Sequence, residues 1–345
     1  MKHECETFQG VLLGTAVGDA LGLPAEGMSP ERIRKRWRGE WRMRFVFGRG
    51  MVSDDTEHTL MVAQALLAHP EDAAAFQRSL AWKLRWWLLG LPAGVGLGTA
   101  RACLKLWLGF PPHRSGVRSA GNGPAMRSAI IGVEFAGDPV RRRAFVTACT
   151  RLTHTDPRAE TAALAVAEFV AGCVNGKTTE TLLQTLRKLS EDAEWMQAMD
   201  ALHSALRDGR SGRDFALSLG LARGVTGYAY HTVPVALHAC LRHPGDFRAA
   251  LTAALDCGGD TDTVGAIVGA LAGAQGGASA IPREWVEGLC EWPRSVRFMR
   301  EVSRQMTEEP PASRRPVPLF WPGVLLRNVC FLLVVLLHGF RRLLP

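Results

Sequence analysis

Apolar residues recur at helical spacing along almost the whole chain, and alternating apolar–polar runs stay very short. This pattern predicts an all-α fold with one compact domain over residues 1–307. The predicted helices span 8–21, 55–69, 72–89, 97–108, 124–137, 139–151, 158–175, 178–189, 192–208, 213–222, 229–242, 246–257, 261–274, 282–290 and 293–306. Residues 28–50 are rich in arginine, and we expect only a short extended piece there, at 43–47.

Two of the predicted helices carry glycines at four-residue intervals. The first has Gly10, Gly14 and Gly18, and the second repeats the spacing between Gly265 and Gly273. Glycine inside a helix costs about 1 kcal/mol relative to alanine, so its repetition indicates a packing requirement. Residues four apart lie on one helix face. We therefore predict two smooth ridges that pack at close distance.

Hydroxyl and carboxylate side chains are concentrated directly before two predicted helices, in the segments 53–56 (SDDT) and 258–263 (GGDTDT). Buried carboxylates need protons or cations, and their oxygens suit hard divalent ions. Together the two clusters would supply the six or so oxygens of an octahedral ion, or of two ions. The alternative interpretation is that Asp260 caps its helix and that Thr261 and Asp262 lie in a solvated turn.

A glycine-rich turn and a histidine are further candidates for ligand binding. In the segment 119–124 (SAGNGP), Asn122 suits an N-cap and Pro124 suits the first helical position. Gly121 and Gly123 leave backbone N–H groups exposed, which favours binding of a phosphate group, although an ordinary capped turn has the same pattern. His154 precedes another helix and suits contact with a sugar or base, with a structural role as the alternative.

The charge of the chain favours an anionic partner. The sequence has 41 basic and 33 acidic residues, and arginines crowd residues 32–49 and the C-terminal end. Such an excess fits a phosphate-bearing substrate or acidic lipid. With two tyrosines and no aromatic–basic interleaving, we expect no nucleic acid partner. Eight scattered cysteines without a C-x-x-C pair argue against zinc and disulfides, and indicate a reducing, cytoplasmic location.

The C-terminal end departs from the domain in composition. Residues 308–318 form a Pro- and charge-rich linker, and residues 319–345 form an apolar tail. The charge-free part, 328–340, is shorter than the roughly 20 residues that cross a bilayer. We predict that the tail is an interfacial or shallow, tilted anchor at the inner face of the membrane. A spanning helix in which Arg327 snorkels and a tail packed on the domain are the alternatives.

These stretches, in this order, resemble the ADP-ribosylglycohydrolase family over roughly residues 8–290. The resemblance rests on GVLLGTAVGDALGLPAEG, SDDT, GNGPAMR, LTHTDPRA and GGDTDTVGAIVGALAGA. It implies an all-α orthogonal bundle with a binuclear metal centre at helix N-termini, usually of Mg²⁺ and sometimes of Mn²⁺.

The resemblance also implies roles for individual residues. Glu26 matches a glutamate on a mobile loop that is implicated in catalysis, and Asp55 is the second candidate for acid–base chemistry. The turn from Gly121 through Asn122 to Gly123 matches the element that cradles the diphosphate, and His154 matches a contact to the distal ADP-ribose moiety. The implied metal ligands are Ser53, Asp54, Asp55, Asp260, Asp262 and Thr263.

The implied function is metal-dependent hydrolysis of the glycosidic bond between ADP-ribose and a protein side chain or small-molecule acceptor, by a monomeric enzyme. One alternative is a module that binds ADP-ribose without cleaving it, against which the intact set of acids argues. The other is a metal-dependent hydrolase of nucleotide diphosphates, which would use similar groups but would release AMP.

Overall fold

The computed structural model describes residues 2–343, and within them the side chains of residues 4–340. This part of the chain is helical throughout and contains isolated β-bridges but no strand, which confirms the all-α prediction. The α-helices are α1 (Lys2–Gly22), α2 (Pro30–Trp37), α3 (Asp54–Ala68), α4 (Ala73–Leu89), α5 (Leu97–Trp107), α6 (Pro112–Ser115), α7 (Ala129–Glu134), α8 (Pro139–Arg151), α9 (Pro157–Val174), α10 (Thr179–Arg187), α11 (Ala193–Arg207), α12 (Gly212–Ser218), α13 (Ala229–Arg242), α14 (Phe247–Leu255), α15 (Thr261–Gly276), α16 (Arg283–Glu287), α17 (Val296–Met306) and α18 (Trp321–Leu343). Short 3₁₀ turns lie at Leu23–Ala25, Ala125–Arg127, Ala278–Ala280 and Pro311–Ser313.

The prediction for the basic segment, residues 28–50, was wrong. Instead of only an extended piece, residues 30–37 form α2, whose N-cap Ser29 accepts a hydrogen bond from the Arg32 backbone. Ile33 and Trp37 are four residues apart and buried, so they give this helix an apolar face. The helical pattern is hard to recognise in the sequence, because these two apolar residues stand among many arginines.

The predicted helix at 124–137 is also wrong, because that region is divided into the 3₁₀ turn Ala125–Arg127 and α7. Asn122 does not cap it through its side chain. The Asn122 carbonyl accepts hydrogen bonds from Ala125 and Met126, while its side-chain amide donates to other parts of the fold.

The glycine ridges of α1 and α15 meet in an antiparallel seam, as predicted. A Cβ built on Gly14 would lie 2.1 Å from the Gly269 carbonyl oxygen, and one on Gly269 would lie 2.0 Å from that of Gly14. Real Cβ atoms do not approach that closely, so the two backbones contact each other directly. Wherever the seam makes such a contact, the fold admits only glycine.

The seam joins the C-terminal end of α1 to the N-terminal end of α15. There the hydroxyl group of Thr261 donates to the Gly22 carbonyl at 2.8 Å. Asp19, in the last turn of α1, and Glu26, which follows the 3₁₀ turn after it, are thereby brought beside the acids that begin α15. Helix packing thus joins residues that are more than 200 positions apart in the sequence.

The segment after α17 contacts the domain along its length. Arg314 is buried in an ion pair with Glu134, and the side chain of Gln64 exchanges two hydrogen bonds with the backbone of Val317. The predicted boundaries at 307/308 and 318/319 stay predictions.

Helix α18 packs one side on the domain, which is the alternative considered for the tail. Val324, Arg327, Asn328 and Phe331 on that side are buried, and leucines on the other side are exposed. Among the described helices, α18 is the one long and apolar enough to cross a membrane, over Trp321–Phe340, with 28% of that window buried.

The seam yields a stability prediction. Gly14→Ala places a methyl group against a backbone carbonyl that cannot move independently, and overpacking typically costs about 1–3 kcal/mol, with the upper end expected against backbone. We expect the variant to unfold at much lower urea concentration than the wild type.

Gly137→Ala is the matched control, because a Cβ there would meet no atom within 4 Å. Its midpoint in urea should stay close to wild type. Equal midpoints for the Gly14→Ala variant and the wild type would contradict the close approach of the two helices.

Candidate active site

The first half of the site is the loop that leads into α3. Ser53 is the N-cap of that helix, and its hydroxyl donates to Asp55 Oδ2 at 3.0 Å. The buried carboxylate of Asp19, from α1, accepts hydrogen bonds from the Ser53 and Thr56 backbone N–H groups and from the Thr56 hydroxyl. Asp19 therefore fixes the shape of the loop that presents the first acidic cluster.

The second half of the site is the turn that leads into α15. Gly258 and Gly259 have φ angles of 68° and 83°, which only glycine adopts without strain. The Gly259 carbonyl accepts from Gly27, and its N–H donates to the Met28 carbonyl, at 2.7 and 2.8 Å. These hydrogen bonds fix the segment of Glu26 next to the second acidic cluster.

The two acidic clusters meet at the start of α3 and α15. The hydroxyl of Thr263 donates to Asp55 Oδ2 at 3.3 Å, across 208 positions of sequence. Asp55 and Asp262 are buried, and the Oδ1 atom of each has no hydrogen-bond partner. Burial first, and neighbouring carboxylates second, raise the pKa of Asp54, Asp55 and Asp262 well above the usual range.

This donor set fits a hard divalent cation. The side chains offer carboxylate and hydroxyl oxygens, and unpaired buried carboxylate oxygens are among them. In the described part of the chain, however, no three His, Cys, Asp or Glu side chains are arranged as a metal site.

Asp260 does not act as a helix cap through its side chain. It occupies the N-cap position of α15, but its carboxylate accepts no hydrogen bond from that helix. Instead Oδ2 accepts from the Asn122 side-chain amide at 2.6 Å, and the same amide donates to the Thr232 hydroxyl. The capping alternative is thus wrong for the carboxylate of Asp260, which is linked to the glycine-rich turn.

Nearly all the residues singled out in the sequence line one cleft of about 550 Å³. The cleft brings Glu26 and members of both acidic clusters together with the glycine-rich turn and His154. The sequence-predicted residues in its walls are Glu26, Asp54, Gly121, Asn122, Gly123, His154, Asp260, Asp262 and Thr263. Ser53 lines a smaller cavity of about 150 Å³ that shares Glu26, Asp54 and Asp262 with the cleft.

Another groove is larger, about 880 Å³, but it contains none of these residues. Trp41, Arg44, Arg248 and Trp285 form part of its walls. A choice by volume alone would select this groove. The predicted residues instead converge on the cleft of about 550 Å³, which is therefore the candidate site.

A chain of hydrogen bonds fixes the proton of His154. The buried Arg127 donates to the Thr153 hydroxyl at 2.6 Å, and that hydroxyl lies 2.9 Å from His154 Nδ1 but 3.5 Å from the Thr150 carbonyl. The distances favour donation from Thr153 to Nδ1. His154 then carries its proton on Nε2, the atom that lies beside Gly98 and Gly121, and presents a donor to the cleft.

Burial, with the charge of Arg127 as a second cause, lowers the pKa of His154 to about 3. The imidazole is therefore neutral near neutral pH, which suits hydrogen bonding and stacking on a base or sugar rather than charge pairing with a phosphate.

Some residues that shape the site were not predicted from the sequence. Asp19 was not among the predicted site residues, although a lone carboxylate in an apolar run is a signal in itself. Thr226 and Gly227 line the cleft without any sequence motif to mark them.

Comparisons with known proteins agree with this geometry. The sequence model of the ADP-ribosylglycohydrolase family matches residues 2–314. This chain belongs to the ADP-ribosylglycohydrolase family. It is therefore a hydrolase that acts on ADP-ribosylated substrates, and the resemblance seen in its motifs is confirmed.

Individual relatives extend over most of this glycohydrolase. It is 33% identical over 315 residues to an uncharacterized protein of Archaeoglobus fulgidus, a match that covers 88% of this chain and 96% of the relative. It is 28% identical to the ADP-ribosyl-[dinitrogen reductase] glycohydrolase of Rhodospirillum rubrum, over 86% of this chain and 93% of the relative.

A solved structure described as an ADP-ribosylglycohydrolase-related protein complex has 28% sequence identity and a TM-score of 0.62. It covers 88% of this chain and 97% of its own. The helical fold of the glycohydrolase is thus shared with a solved member of the family.

The buried neutral His154 predicts a pH dependence of stability. Because its pKa is near 6.5 in an unfolded chain and about 3 in the fold, the unfolded state binds the extra proton between these values. Stability therefore falls as the pH falls through this window. At 1.36 kcal/mol per pKa unit, His154 accounts for about 2 kcal/mol of loss between pH 6.5 and 4.5.

Urea unfolding at pH 6.5 and 4.5 tests this. The His154→Gln variant should lose about 2 kcal/mol less than the wild type between the two pH values. The exposed His113, changed to Gln, is the control and should follow the wild type. Equal losses for all three proteins would show that His154 is protonated in the fold.

Proposed function

We propose that this protein is a Mg²⁺-dependent ADP-ribosylglycohydrolase that cleaves the glycosidic bond between ADP-ribose and a modified protein side chain or small-molecule acceptor. The observation that carries the proposal is that Asp262, with an unpartnered carboxylate oxygen, lines the same cleft as a glycine-rich turn and a neutral histidine. Asp55, whose Oδ1 is also unpartnered, is not in the wall of the cleft but accepts from Thr263, which is.

The cleft suits the parts of an ADP-ribose group. The turn from Gly121 through Asn122 to Gly123 lines the cleft and suits the diphosphate. The expected exposed N–H at Gly121 is wrong, because it donates to the Ser119 hydroxyl, and the Asn122 N–H donates to the Gly227 carbonyl. A side chain at Gly98 or Gly121 would contact His154. His154 offers its Nε2 proton to the distal moiety. The ribose attached to the acceptor then lies toward Glu26 and the acidic clusters.

We propose that Ser53, Asp54, Asp55, Asp260, Asp262 and Thr263 hold two Mg²⁺ ions, with Mn²⁺ as a substitute. Bound ions would orient the ribose hydroxyl groups and lower the pKa of a water molecule. Among the residues of the chain, Glu26 and Asp55 are the candidates for moving protons. One carboxylate would take a proton from the water that adds to the anomeric carbon. The bond from that carbon to the acceptor breaks, and the other, protonated carboxyl group supplies the proton with which the acceptor leaves.

The proposal also covers the oligomeric state and the cellular location of the enzyme. We propose a monomeric enzyme in the cytoplasm. The location, though not the oligomeric state, is supported by the eight cysteines, all of which are unpaired in the structure. Binding of ADP-ribose without cleavage remains the alternative, and so does cleavage of the diphosphate.

Incubation with ADP-ribosylated arginine, serine or small-molecule conjugates tests the reaction. With Mg²⁺ the wild type should release ADP-ribose, and excess EDTA should abolish turnover because the acids then lack their cation. Asp55→Asn and Asp262→Asn should lower kcat/KM at least about 100-fold. The exposed Asp208→Asn is the control and should retain full activity.

Release of AMP would identify a diphosphate hydrolase. Tight binding of ADP-ribose without any product would identify a binding module. Full activity in EDTA would contradict the role of the metal.

We further propose that the outward face of α18 lies on the inner, anionic face of the membrane. Its exposed residues are Leu325, Leu326, Val329, Leu332, Leu333, Leu336, Leu337 and Phe340. Four partly exposed tryptophans continue this surface at one end: Trp82, Trp86, Trp107 and Trp321, in ring contact around Trp86. Tryptophan favours the membrane–water interface, and Arg341 and Arg342 follow in the sequence.

Flotation with liposomes tests this surface. The full chain should float with vesicles that contain phosphatidylglycerol, and Leu333→Asn combined with Leu337→Asn should lower the bound fraction at least tenfold. Leu217→Asn, at an exposed leucine on α12, is the control and should bind like wild type. A stable dimer that ignores liposomes would show that a second copy covers this face instead.

A further inference from the structure

Helix α18 lies outside the region matched by the family, which ends at residue 314, yet it reaches the acidic site. Its Arg327 is buried, and one guanidinium nitrogen donates to the Val52 carbonyl at 2.6 Å. Val52 directly precedes Ser53. An arginine from the tail thus holds the loop that carries the first acidic cluster.

Glu291 completes this contact. Its Oε1 atom accepts from the Val52 N–H at 2.7 Å and from Arg327 at 2.6 Å, and Oε2 accepts from the same guanidinium at 3.1 Å. Both backbone polar groups of Val52 are therefore bound by one buried ion pair. A two-pronged arginine–carboxylate pair of this kind fixes geometry as well as charge.

A second ion pair lies behind the first. Glu57, on α3, is buried and bound by Arg294 and by the Trp87 indole, and it lies 3.7 Å from Arg327. Removal of Arg327 would leave the carboxylate of Glu291 buried without its cation, which is costly. The loop at Val52 is the part of the site that would move to relieve it.

The other end of α18 contacts the turn between α1 and Glu26. His338 Nε2 donates to the Pro24 carbonyl at 3.2 Å, in the turn that precedes Glu26. Phe331, Val335 and His338 also form a wall of the 150 Å³ cavity that shares Glu26, Asp54 and Asp262 with the cleft. The helix is thus in contact with the loop that precedes α3 and with the turn that precedes Glu26.

We propose that α18 is a structural part of the active site and that Arg327 is a positioning residue, which orders the Val52–Asp55 loop for metal binding through Glu291. The inference builds on the proposed metal site, but its main readout, the order of the loop, does not depend on catalysis. The tail therefore serves the active site through its inner face, independently of what covers its outer face.

Hydrogen exchange of the Val52 amide, measured on the full chain, tests the proposal directly. Arg327→Met keeps the length of the side chain but removes its donors. It should speed exchange of the Val52 amide at least tenfold and weaken Mn²⁺ binding, measured by calorimetry, at least tenfold. Arg327→Lys keeps the charge without the two-pronged geometry and should lie between wild type and Arg327→Met.

Two controls separate positioning from general loosening of the helix. Leu333→Asn alters the outer face of α18 and should leave loop exchange and Mn²⁺ affinity unchanged. Val324→Ala creates a hole under the same helix without touching Val52, so it should lower thermal stability but change Mn²⁺ affinity less than threefold.

Wild-type exchange at Val52 and wild-type Mn²⁺ affinity in the Arg327→Met variant would overturn the proposal. So would an equal loss of Mn²⁺ affinity in Val324→Ala. If instead no ADP-ribose is released by any variant or by the wild type while the exchange pattern appears as expected, the proposed reaction is wrong and the positioning role of Arg327 stands.

Discussion

The direct contact of two helix backbones is the constraint on which the rest of this structure depends. Along the seam of α1 and α15, glycines occupy the positions where any Cβ would collide with a carbonyl oxygen. Each of those glycines costs about 1 kcal/mol of helix propensity, which close packing must offset. The result is a rigid junction that brings the end of α1 against the start of α15, so that two short acidic segments become one site.

The site itself opposes folding. Asp55 and Asp262 are buried beside other carboxylates, and their raised pKa values express the cost of keeping charge there. The surrounding structure compensates with groups that fix the backbone: Asp19 binds the first loop, and Gly27 and Met28 bind the second at Gly259. A preorganised set of oxygens that is unfavourable without a cation is what a site for a hard ion requires.

The sequence predicted most of this because the relevant signals are local. Glycine every fourth residue indicates a ridge, and acids with hydroxyls before an apolar helix indicate a cluster. Hydrogen bonds between side chains that are far apart in the sequence were not predicted. Arg327 interrupts an apolar tail and suggested only snorkelling, whereas in the fold its partner Glu291 lies 36 positions away. Helix α2 was missed because its apolar face consists of two side chains among arginines. The side-chain amide of Asn122, expected to cap its own turn, instead donates to Asp260.

A crystal structure with Mn²⁺ and ADP-ribose, with data collected at the manganese absorption edge, tests the central claim most directly. The account predicts anomalous density in contact with Asp55 Oδ1 and Asp262 Oδ1, the two buried oxygens that lack partners, and the diphosphate at the Gly121–Gly123 turn. Manganese bound elsewhere, or ADP-ribose in the groove beside Trp41 and Trp285, would contradict it.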